Sequence, residues 1–191
     1  MNQEQLSGGE KNDGLDRRLF IALRTRWHVQ PLQAVLTALS VSGNNGFLWI
    51  GLAVPVFWAA GDGLLGIVSR LVFMAVVVYS TLAINYAVKQ ILGHERPALD
   101  DPALLPLVGV PSSKSFPSSH AAMSFAAATI YVYFMTAVWP FFLAFALFYG
   151  LALLVSWSRV YVGVHFPSDV LAGMFVGLAS GCFWAIFLHF L

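Results

Sequence analysis

The chain has 191 residues, of which 59% are hydrophobic and only 10% are charged. Soluble domains carry about 25% charged residues, so this composition excludes a disordered chain, a nucleic-acid-binding protein and an ordinary soluble enzyme. With a mean hydropathy of +0.76 and a net charge of +1, the chain is instead typical of a membrane protein. Its single cysteine, Cys182, cannot form an intrachain disulfide.

The N-terminal end of the chain is polar, unlike the rest. Residues 1–15 contain several glycines and no apolar cluster of their own, a composition that predicts a disordered tail. Residues 16–191 are expected to form a single membrane domain, because the length suits one compact unit.

Residues 16–43 mix arginines with apolar residues at helical spacing. This pattern predicts amphipathic helices that lie on the membrane surface, and Pro31 is expected to divide them into two. Alternatively, residues 31–43 join residues 46–60 as one broken span, because the glycines and asparagines between them favour a turn.

Beyond this region, charged residues are sparse and are separated by long charge-free runs. A bilayer is crossed by roughly 20 residues of helix, and lipid does not tolerate unpaired backbone groups, so these runs should be transmembrane helices. The predicted fold class is therefore all-α: a polytopic membrane helix bundle with about five transmembrane helices, preceded by the amphipathic interfacial helices. The predicted spans cover residues 45–61, 67–91, 119–137, 140–158 and 167–190.

The first polar cluster lies at the end of the second predicted span, where Lys89 is followed seven residues later by Arg96 and then by Pro97. Seven residues are about two helical turns, so Lys89 and Arg96 can share one face of a helix that ends near Arg96. Two cations at a helix end suit a phosphate, lysine as a point charge and arginine as a bidentate fork. Taken alone, the pair is equally typical of a membrane anchor.

The second cluster, Ser115-Phe116-Pro117-Ser118-Ser119-His120, opens the third predicted span. Serine at a helix start caps free amides, and those amides together with the helix dipole also attract anions. His120 is expected in the first helical turn. On its own, this cluster is also consistent with a serine cap beside an interfacial histidine.

The third cluster joins the fourth and fifth predicted spans and contains Arg159, His165, Pro167 and Asp169. Pro167 fits the first turn of a helix. His165 and Asp169 are four residues apart, so the carboxylate can reach one ring nitrogen, fix the tautomer and leave the other nitrogen free to attack. Such pairs also occur as structural hydrogen bonds, but the arginine beside this one at a membrane boundary favours a functional role.

When the helices alternate in direction, all three clusters come to the same face of the membrane. Two histidines and three cations around an anion site are typical of phosphoryl transfer through a histidine nucleophile. No cluster has the spacing of a zinc site, and no set of carboxylates suits magnesium. The residues gathered on this face are Lys89, Arg96, Ser118, Ser119, His120, Arg159, His165 and Asp169.

These residues resemble the signature of the type 2 phosphatidic acid phosphatase (PAP2) superfamily, which includes lipid phosphate phosphatases and undecaprenyl pyrophosphate phosphatases. The family pattern is K-x6-R-P, then P-S-G-H, then S-R-x5-H-x3-D, and the three clusters match its order and spacing over about residues 85–170. One position departs from the pattern. Ser119 stands where the family has glycine, and its side chain can alter phosphate access or substrate preference.

The resemblance implies a role for each matching residue. His165 would be the nucleophile that forms a phosphohistidine, Asp169 would orient it, and His120 would protonate the leaving oxygen. The family needs no metal, so neither a metal nor a cofactor is expected. The phosphate would be held by Lys89, Arg96, Ser118, Ser119 and Arg159.

The expected function is that of an integral membrane phosphatase acting on a lipid phosphate or diphosphate. By resemblance, the substrates are polyprenyl diphosphate, phosphatidylglycerophosphate, phosphatidate or a polyprenyl-phospho-sugar phosphate. A lipid-to-lipid phosphotransferase would use the same phosphohistidine, with an acceptor lipid in place of water. A transporter or scaffold that only binds phosphate headgroups would need no nucleophile, and the His165–Asp169 pair argues against it.

The expected partners are the lipid bilayer and the lipid phosphate substrate, with no nucleic acid, and the expected location is a bacterial plasma (inner) membrane. The sequence leaves two alternatives for the side of the membrane that carries the site. With five spans, the N-terminal arginines lie on the same face as the three clusters, and the positive-inside rule then favours the cytoplasm. The resemblance favours the extracytoplasmic face instead.

Overall fold

The computed structural model describes residues 14–25, 30–97 and 105–190 of the chain. Within these stretches there are seven α-helices, one 3-10 turn at Asn44–Gly46 and no β-strand, which confirms the all-α prediction. Apart from its last two positions, the predicted disordered tail lies outside the described residues. The helices are α1 (Leu15–Thr25), α2 (Gln30–Ser42), α3 (Phe47–Ala59), α4 (Leu64–Leu92), α5 (Ser119–Met135), α6 (Phe141–Tyr161) and α7 (Pro167–His189).

Two separate helices, α1 and α2, precede the bundle, as the proline in this region predicts. Pro31 lies in the first turn of α2, where its missing N–H removes no helical hydrogen bond. α1 is fastened to the start of α7, because the Asp16 carboxylate accepts hydrogen bonds from the N–H and the hydroxyl of Ser168 at 3.0 and 2.5 Å. α2 packs against α6 with the buried Leu36. Both helices therefore lie near the junction of α6 and α7.

Helices lie at all five positions that were predicted to cross the membrane, and their ends differ from the predicted ends by at most three residues. Three of them, α4, α6 and α7, are long and apolar enough to cross a membrane, by length and composition. α3 and α5 have 13 and 17 residues. These lengths correspond to about 20 and about 26 Å, short of a hydrocarbon core of about 30 Å. The count of five spans therefore stays a prediction.

α5 forms the centre of the bundle, and α4, α6 and α7 all contact it. α7 approaches it most closely, through glycines. A Cβ atom on Gly173 would lie 2.4 Å from the carbonyl oxygen of Ser118, and one on Gly177 would lie 2.2 Å from that of Ala122. Small residues at such an interface allow two membrane helices to pack closely. The N-terminal ends of α5 and α7 are also joined directly, since the N–H of Ser118 donates to the carbonyl of Asp169 at 2.9 Å.

Buried polar side chains connect the helices at further points. Thr81 on α4 shares a hydrogen bond of 2.6 Å with Ser180 on α7. Trp49 on α3 donates to the hydroxyl of Ser124 on α5 at 2.9 Å. In apolar surroundings such bonds fix how two helices are aligned along their length. The ends of the helices are therefore held in register with one another, which matters because the polar clusters lie at those ends.

Candidate active site

A cavity of about 350 Å³ lies where α4 and α6 end and where α5 and α7 begin. Residues of all three polar clusters line it, as predicted from helices that alternate in direction. Three apolar residues, Leu82, Pro111 and Met123, also line it. The polar side chains in its lining are Asn44, Asn45, Lys89, Arg96, Ser113, Ser119, His120, Arg159 and His165.

The imidazole of His165 is buried and is held from behind by a carboxylate. Its Nδ1 lies 3.3 Å from Oδ2 of Asp169, in agreement with the predicted pair. The same oxygen accepts hydrogen bonds from the Ser115 hydroxyl at 2.5 Å and from the N–H of Phe166 at 2.8 Å. The other carboxylate oxygen lies 3.1 Å from Nε2 of His94. These contacts fix the orientation of Asp169, and through it that of His165.

The tautomer of His165 follows from the chemistry of its two neighbours. A carboxylate only accepts hydrogen bonds, so the Nδ1 that faces Asp169 carries the proton. A guanidinium only donates, and Nη1 of Arg96 lies 3.3 Å from Nε2, so Nε2 presents its lone pair. Burial lowers the pKa of His165 to about 4, against the opposing effect of the hydrogen bond with Asp169. The ring is therefore neutral near pH 7, with its lone pair on Nε2.

Arg96 does not lie on α4, so the prediction that it shares a helical face with Lys89 was wrong. The helix ends at Leu92, four residues before Arg96, because Gly93 is a poor helix former and leaves the helical conformation. The carbonyl of the residue after Gly93 then accepts a hydrogen bond from the N–H of Ser115 at 2.7 Å. Arg96 thus reaches the cavity from a non-helical segment that pairs with the loop before α5.

Backbone carbonyls hold the Arg96 side chain in place. Its Nη1 donates to the carbonyl of Val164 at 2.7 Å, and its Nε donates to the carbonyls of Pro111 and Ser113, both at 3.1 Å. Burial lowers the pKa of the Arg96 guanidinium, and the negative charge of Asp169 opposes that effect. Carbonyl groups orient the guanidinium without neutralising it, so its positive charge remains available to an anion.

The other two cations come from the ends of α4 and α6, and both are buried. Nζ of Lys89 donates to the carbonyl of Lys114 at 3.0 Å. Nη1 of Arg159 donates to the hydroxyl and the carbonyl of Ser40 on α2. Among the described residues, Nε of Arg159 has no hydrogen-bond partner. An unpaired buried donor is costly, so this N–H is expected to bind an atom of a ligand.

His120 lies in the first turn of α5, as predicted, and its partner is a neutral amide. Nε2 of His120 lies 3.1 Å from Oδ1 of Asn44 in the 3-10 turn before α3. The predicted serine cap is Ser118, whose hydroxyl accepts a hydrogen bond from the N–H of Ala121 at 3.5 Å. The hydroxyl of Ser118 is thus used at the helix end, and of these two neighbouring serines it is Ser119 that lines the cavity.

The turn between α6 and α7 brings Arg159 and His165 to the same cavity. Gly163 has a φ of +86°, a left-handed conformation that glycine adopts at little cost. The turn closes with a hydrogen bond of 3.2 Å from the N–H of Val164 to the carbonyl of Arg159. α7 then begins with Pro167 in its first turn, as predicted.

Comparison with known proteins identifies the family of the chain. The family model of the PAP2 superfamily matches residues 70–190, which is more than half of the chain. The chain belongs to the PAP2 superfamily.

Individual PAP2 proteins are similar to this chain over most of its length. It is 30% identical to undecaprenyl-diphosphatase of Sulfolobus acidocaldarius over 91% of this chain and 78% of that protein. It is also 30% identical to phosphatidylglycerophosphatase B of Bacillus subtilis, over 83% of this chain and 74% of that protein. The crystal structure of a transmembrane PAP2 type phosphatidylglycerolphosphate phosphatase from Bacillus subtilis has the same fold, with a TM-score of 0.71 at 24% identity over 98% of this chain and 87% of that chain. With its three long apolar helices, this PAP2 chain is an integral membrane protein.

The PAP2 motif residues fall into two groups by position. Six of the eight line the cavity, and the other two, Ser118 and Asp169, lie behind it. Asp169 supports His165, and Ser118 caps α5. The structure therefore brings all eight residues together, while their roles in binding and catalysis stay predictions.

Four of the side chains that contact motif residues were given no role of their own in the sequence analysis. Ser115 contacts Asp169, Asn44 contacts His120, Ser40 contacts Arg159, and Asn85 contacts Ser119. Only Asn85 carried a usable signal, because a carboxamide in the middle of an apolar span is uncommon and marks a candidate site. The other three lie in polar turns or near helix ends, where such residues are ordinary.

Proposed function

We propose that this PAP2 protein is a phosphatase that hydrolyses a lipid phosphate or diphosphate. The observation that carries the proposal is the neutral His165, whose Nε2 lone pair lies beside Arg96 in a cavity that Lys89 and Arg159 also line. Phosphoryl transfer through histidine needs such a nucleophile next to the phosphate, whereas a protein that only binds phosphate does not. The names of the two relatives, both phosphatases, support the same activity.

In the first half of the reaction, Nε2 of His165 attacks the phosphorus atom. A P–N bond forms while the P–O bond to the lipid breaks, and protonated His120 gives its proton to the leaving oxygen. The products are a phosphohistidine and the free lipid alcohol, or the lipid monophosphate when the substrate is a diphosphate. The attacking ring becomes cationic, and the carboxylate of Asp169 stabilises it through the proton on Nδ1.

In the second half, water attacks the phosphohistidine. His120, now neutral, takes a proton from the water while the new P–O bond forms and the P–N bond breaks. Inorganic phosphate leaves, His165 returns to its neutral form, and His120 is again protonated.

The cations act on the charge of the transferred phosphoryl group. Lys89, Arg96 and Arg159 surround the cavity, and preorganised cations stabilise the charge that develops in the transition state. Arg159 lines the cavity, and its Nε–H, which has no partner among the described residues, is proposed to bind a phosphate oxygen. The N-terminus of α5, which begins at Ser119, is proposed to add neutral backbone donors, as helix N-termini do for phosphates.

The substrate is proposed to be a membrane lipid because the cavity lies at the ends of membrane helices and is lined partly by Leu82 and Met123. The names of the relatives support polyprenyl diphosphate and phosphatidylglycerophosphate as the first substrates to test. Phosphatidate and a polyprenyl-phospho-sugar phosphate present the same phosphoryl group and follow them.

The reaction is proposed to need no metal, since lysine and arginine side chains supply the positive charge. Within the described residues, no group of three or more His, Cys, Asp and Glu side chains is placed to hold a metal ion. The test is release of inorganic phosphate from undecaprenyl diphosphate by the purified protein after exhaustive chelation. Continued release that vanadate inhibits is expected, because vanadate can mimic the trigonal-bipyramidal phosphoryl group. Complete loss that magnesium restores would contradict the proposed mechanism, and transfer to an added lipid alcohol without release would indicate a phosphotransferase.

The cavity is proposed to open on the extracytoplasmic face of a bacterial plasma membrane, which the family resemblance supports. In a Cys182→Ser background, single cysteines at Ser112 and Gly63 would report on the two ends of the bundle, since both positions are exposed. A membrane-impermeant maleimide should label Ser112→Cys in intact cells and leave Gly63→Cys unlabelled. The reverse pattern would place the cavity in the cytoplasm.

A further inference from the structure

Ser119, the residue that departs from the PAP2 pattern, is hydrogen-bonded to a side chain outside the motif. Asn85 lies on α4, one helical turn before Lys89, and is fully buried. Its Nδ2 lies 2.9 Å from the hydroxyl oxygen of Ser119 and 3.2 Å from the carbonyl oxygen of Pro117. A single amide group of α4 therefore contacts the residues before and after Ser118, where α5 begins.

The carbonyl of Pro117 fixes which way the Asn85 amide points. A carbonyl oxygen only accepts hydrogen bonds, so the NH₂ group and not Oδ1 must face it. The second hydrogen of the same NH₂ group then points to Ser119, whose hydroxyl oxygen accepts it. The opposite orientation would place Oδ1 of Asn85 against the carbonyl oxygen of Pro117.

This orientation leaves Oδ1 of Asn85 buried without a hydrogen-bond partner among the described residues. A flipped amide could satisfy that oxygen with the Ser119 hydroxyl, but it would lose both donor contacts. An unsatisfied buried acceptor costs stability, so the two donor contacts must outweigh the loss of this one acceptor contact.

The hydrogen bond from Asn85 also limits where the proton of the Ser119 hydroxyl can point. Because its oxygen already accepts from Asn85, the O–H bond must point elsewhere, and no acceptor for it is found in the described parts of the chain. The Ser119 side chain lines the cavity together with Lys89 and Arg159. A phosphate oxygen in the cavity is the acceptor that this donor lacks.

We propose that Asn85 is a positioning residue that holds the Ser119 hydroxyl with its proton directed to the phosphate, which adds a side-chain donor where the family pattern has glycine. This inference rests on the proposed phosphatase function. It identifies Ser119 and Asn85 as a pair that tightens binding of the phosphoryl group, through a hydrogen bond to a charged oxygen. Such bonds are among the stronger ones in proteins.

A double-mutant cycle on the full-length protein in detergent tests the pair, with the inhibition constant of vanadate and with kcat and KM as readouts. Ser119→Ala removes the hydroxyl and should weaken vanadate binding by about tenfold or more, as expected for a hydrogen bond to a charged group. Asn85→Ala should weaken it by a similar factor in the wild-type background and have little further effect in the Ser119→Ala background. Asn85→Leu, which is close to asparagine in size and has no polar side-chain atom, provides a second variant if Asn85→Ala does not fold.

Thr81→Val is the matched control. It removes another buried hydrogen bond between α4 and a neighbouring helix, four residues before Asn85. Thr81 does not line the cavity. It should lower the melting temperature and leave the vanadate inhibition constant unchanged. Independent, additive losses from Asn85→Ala and Ser119→Ala would overturn the inference and indicate that Asn85 only holds Pro117. If the wild-type protein neither releases phosphate nor binds vanadate, the proposed function itself fails, so the two failures are distinguishable.

Discussion

Two histidines line the same cavity, and the structure supports them differently. His165 is buried, and its Nδ1 faces the carboxylate of Asp169, which Ser115 holds in turn. His120 lies at the start of α5, and its Nε2 faces the side-chain oxygen of Asn44, which belongs to an uncharged amide. One ring therefore has a partner with a full negative charge, whereas the other has a neutral partner.

This difference separates two chemical roles. A carboxylate fixes the tautomer and stabilises the positive charge that a ring acquires when it forms a bond to phosphorus. A neutral amide orients a ring but stabilises its cationic form much less, so the ring can give up a proton more readily. The charged partner of His165 thus suits a nucleophile, and the neutral partner of His120 suits a general acid and base. Each of the following experiments tests this contrast, from the largest expected effect to the smallest.

Replacement of the proposed nucleophile should have the largest effect. His165→Ala is expected to abolish turnover of both an alkyl phosphate and an activated aryl phosphate, because no covalent intermediate can form. Turnover of both substrates is measured beside His189→Ala, which removes an exposed histidine at the other end of α7 and should retain activity. Near-normal hydrolysis of the aryl ester by His165→Ala would assign the nucleophile to another residue.

Asp169→Asn keeps the size of the side chain but replaces a pure acceptor with a group that can also donate. An asparagine carries no negative charge, so it would fix the proton on Nδ1 less firmly and would stabilise the cationic ring of the intermediate much less. We expect kcat to fall on the order of 10³–10⁴-fold, the size of effect known for a carboxylate-to-amide change behind a catalytic histidine. Asp62→Asn, which alters an ion pair with Arg70 at the other end of α4, is the control. A loss below about tenfold would show that the carboxylate does not set the tautomer.

Loss of the proposed acid should depend on the leaving group. His120→Ala is expected to lower kcat on the order of 10²–10⁴-fold for an alkyl phosphate, because an alkoxide leaves poorly without a proton. For an activated aryl phosphate the leaving group is already stable, so the loss should shrink markedly. Rates on the two substrates are compared within one preparation of the variant. Equal losses would rule out the acid role and point to a role in binding.

The neutral support of His120 should matter less than the charged support of His165. Asn44→Ala removes one hydrogen bond between uncharged groups, so kcat on the alkyl phosphate should fall by about two- to tenfold. In the His120→Ala background the same change should have no further effect on kcat. A further loss there would mean that Asn44 acts on the substrate rather than on His120.

Mild acidification should have the smallest effect of these changes, because His165 should stay mostly neutral. Its pKa is lowered to about 4 by burial, so the neutral, nucleophilic form is kept as the pH falls below the ordinary histidine value and is lost near pH 4. At pH 5 about nine-tenths of His165 should still be neutral, whereas an ordinary histidine with a pKa of about 6.5 would be almost fully protonated. The ring resonances of labelled histidine report this directly, with assignment by their loss in His165→Asn. A midpoint above pH 6 would contradict the buried, neutral ring.

Much of the site was predictable because its signals are local. The serine cap at Ser118, the proline in the first turn of α7 and the four-residue spacing of His165 and Asp169 each depend on one stretch of chain. The helix positions were predictable for the same reason, since charge-free runs and their flanking polar residues mark them.

Contacts between distant segments were not predictable. Arg96 was placed on the end of α4, but Gly93 ends the helix earlier, and the loop before α5 supplies the carbonyls that hold the guanidinium. The partners of Arg159 and Ser119, which are Ser40 and Asn85, lie 119 and 34 residues away in sequence. The central position of α5 depends on the glycines of α7, a match between two surfaces that neither helix shows by itself.

The central claim is that His165 carries the phosphoryl group during turnover. The most direct measurement is to mix the protein with substrate, quench it under alkaline conditions that preserve phosphohistidine, and locate the added phosphoryl group by peptide mass spectrometry. The phosphoryl group should be found on His165, at levels that rise and decay with turnover, and it should be absent from His165→Ala. Phosphate attached to another residue, or turnover without any phosphorylated enzyme and with inversion at phosphorus, would contradict the claim.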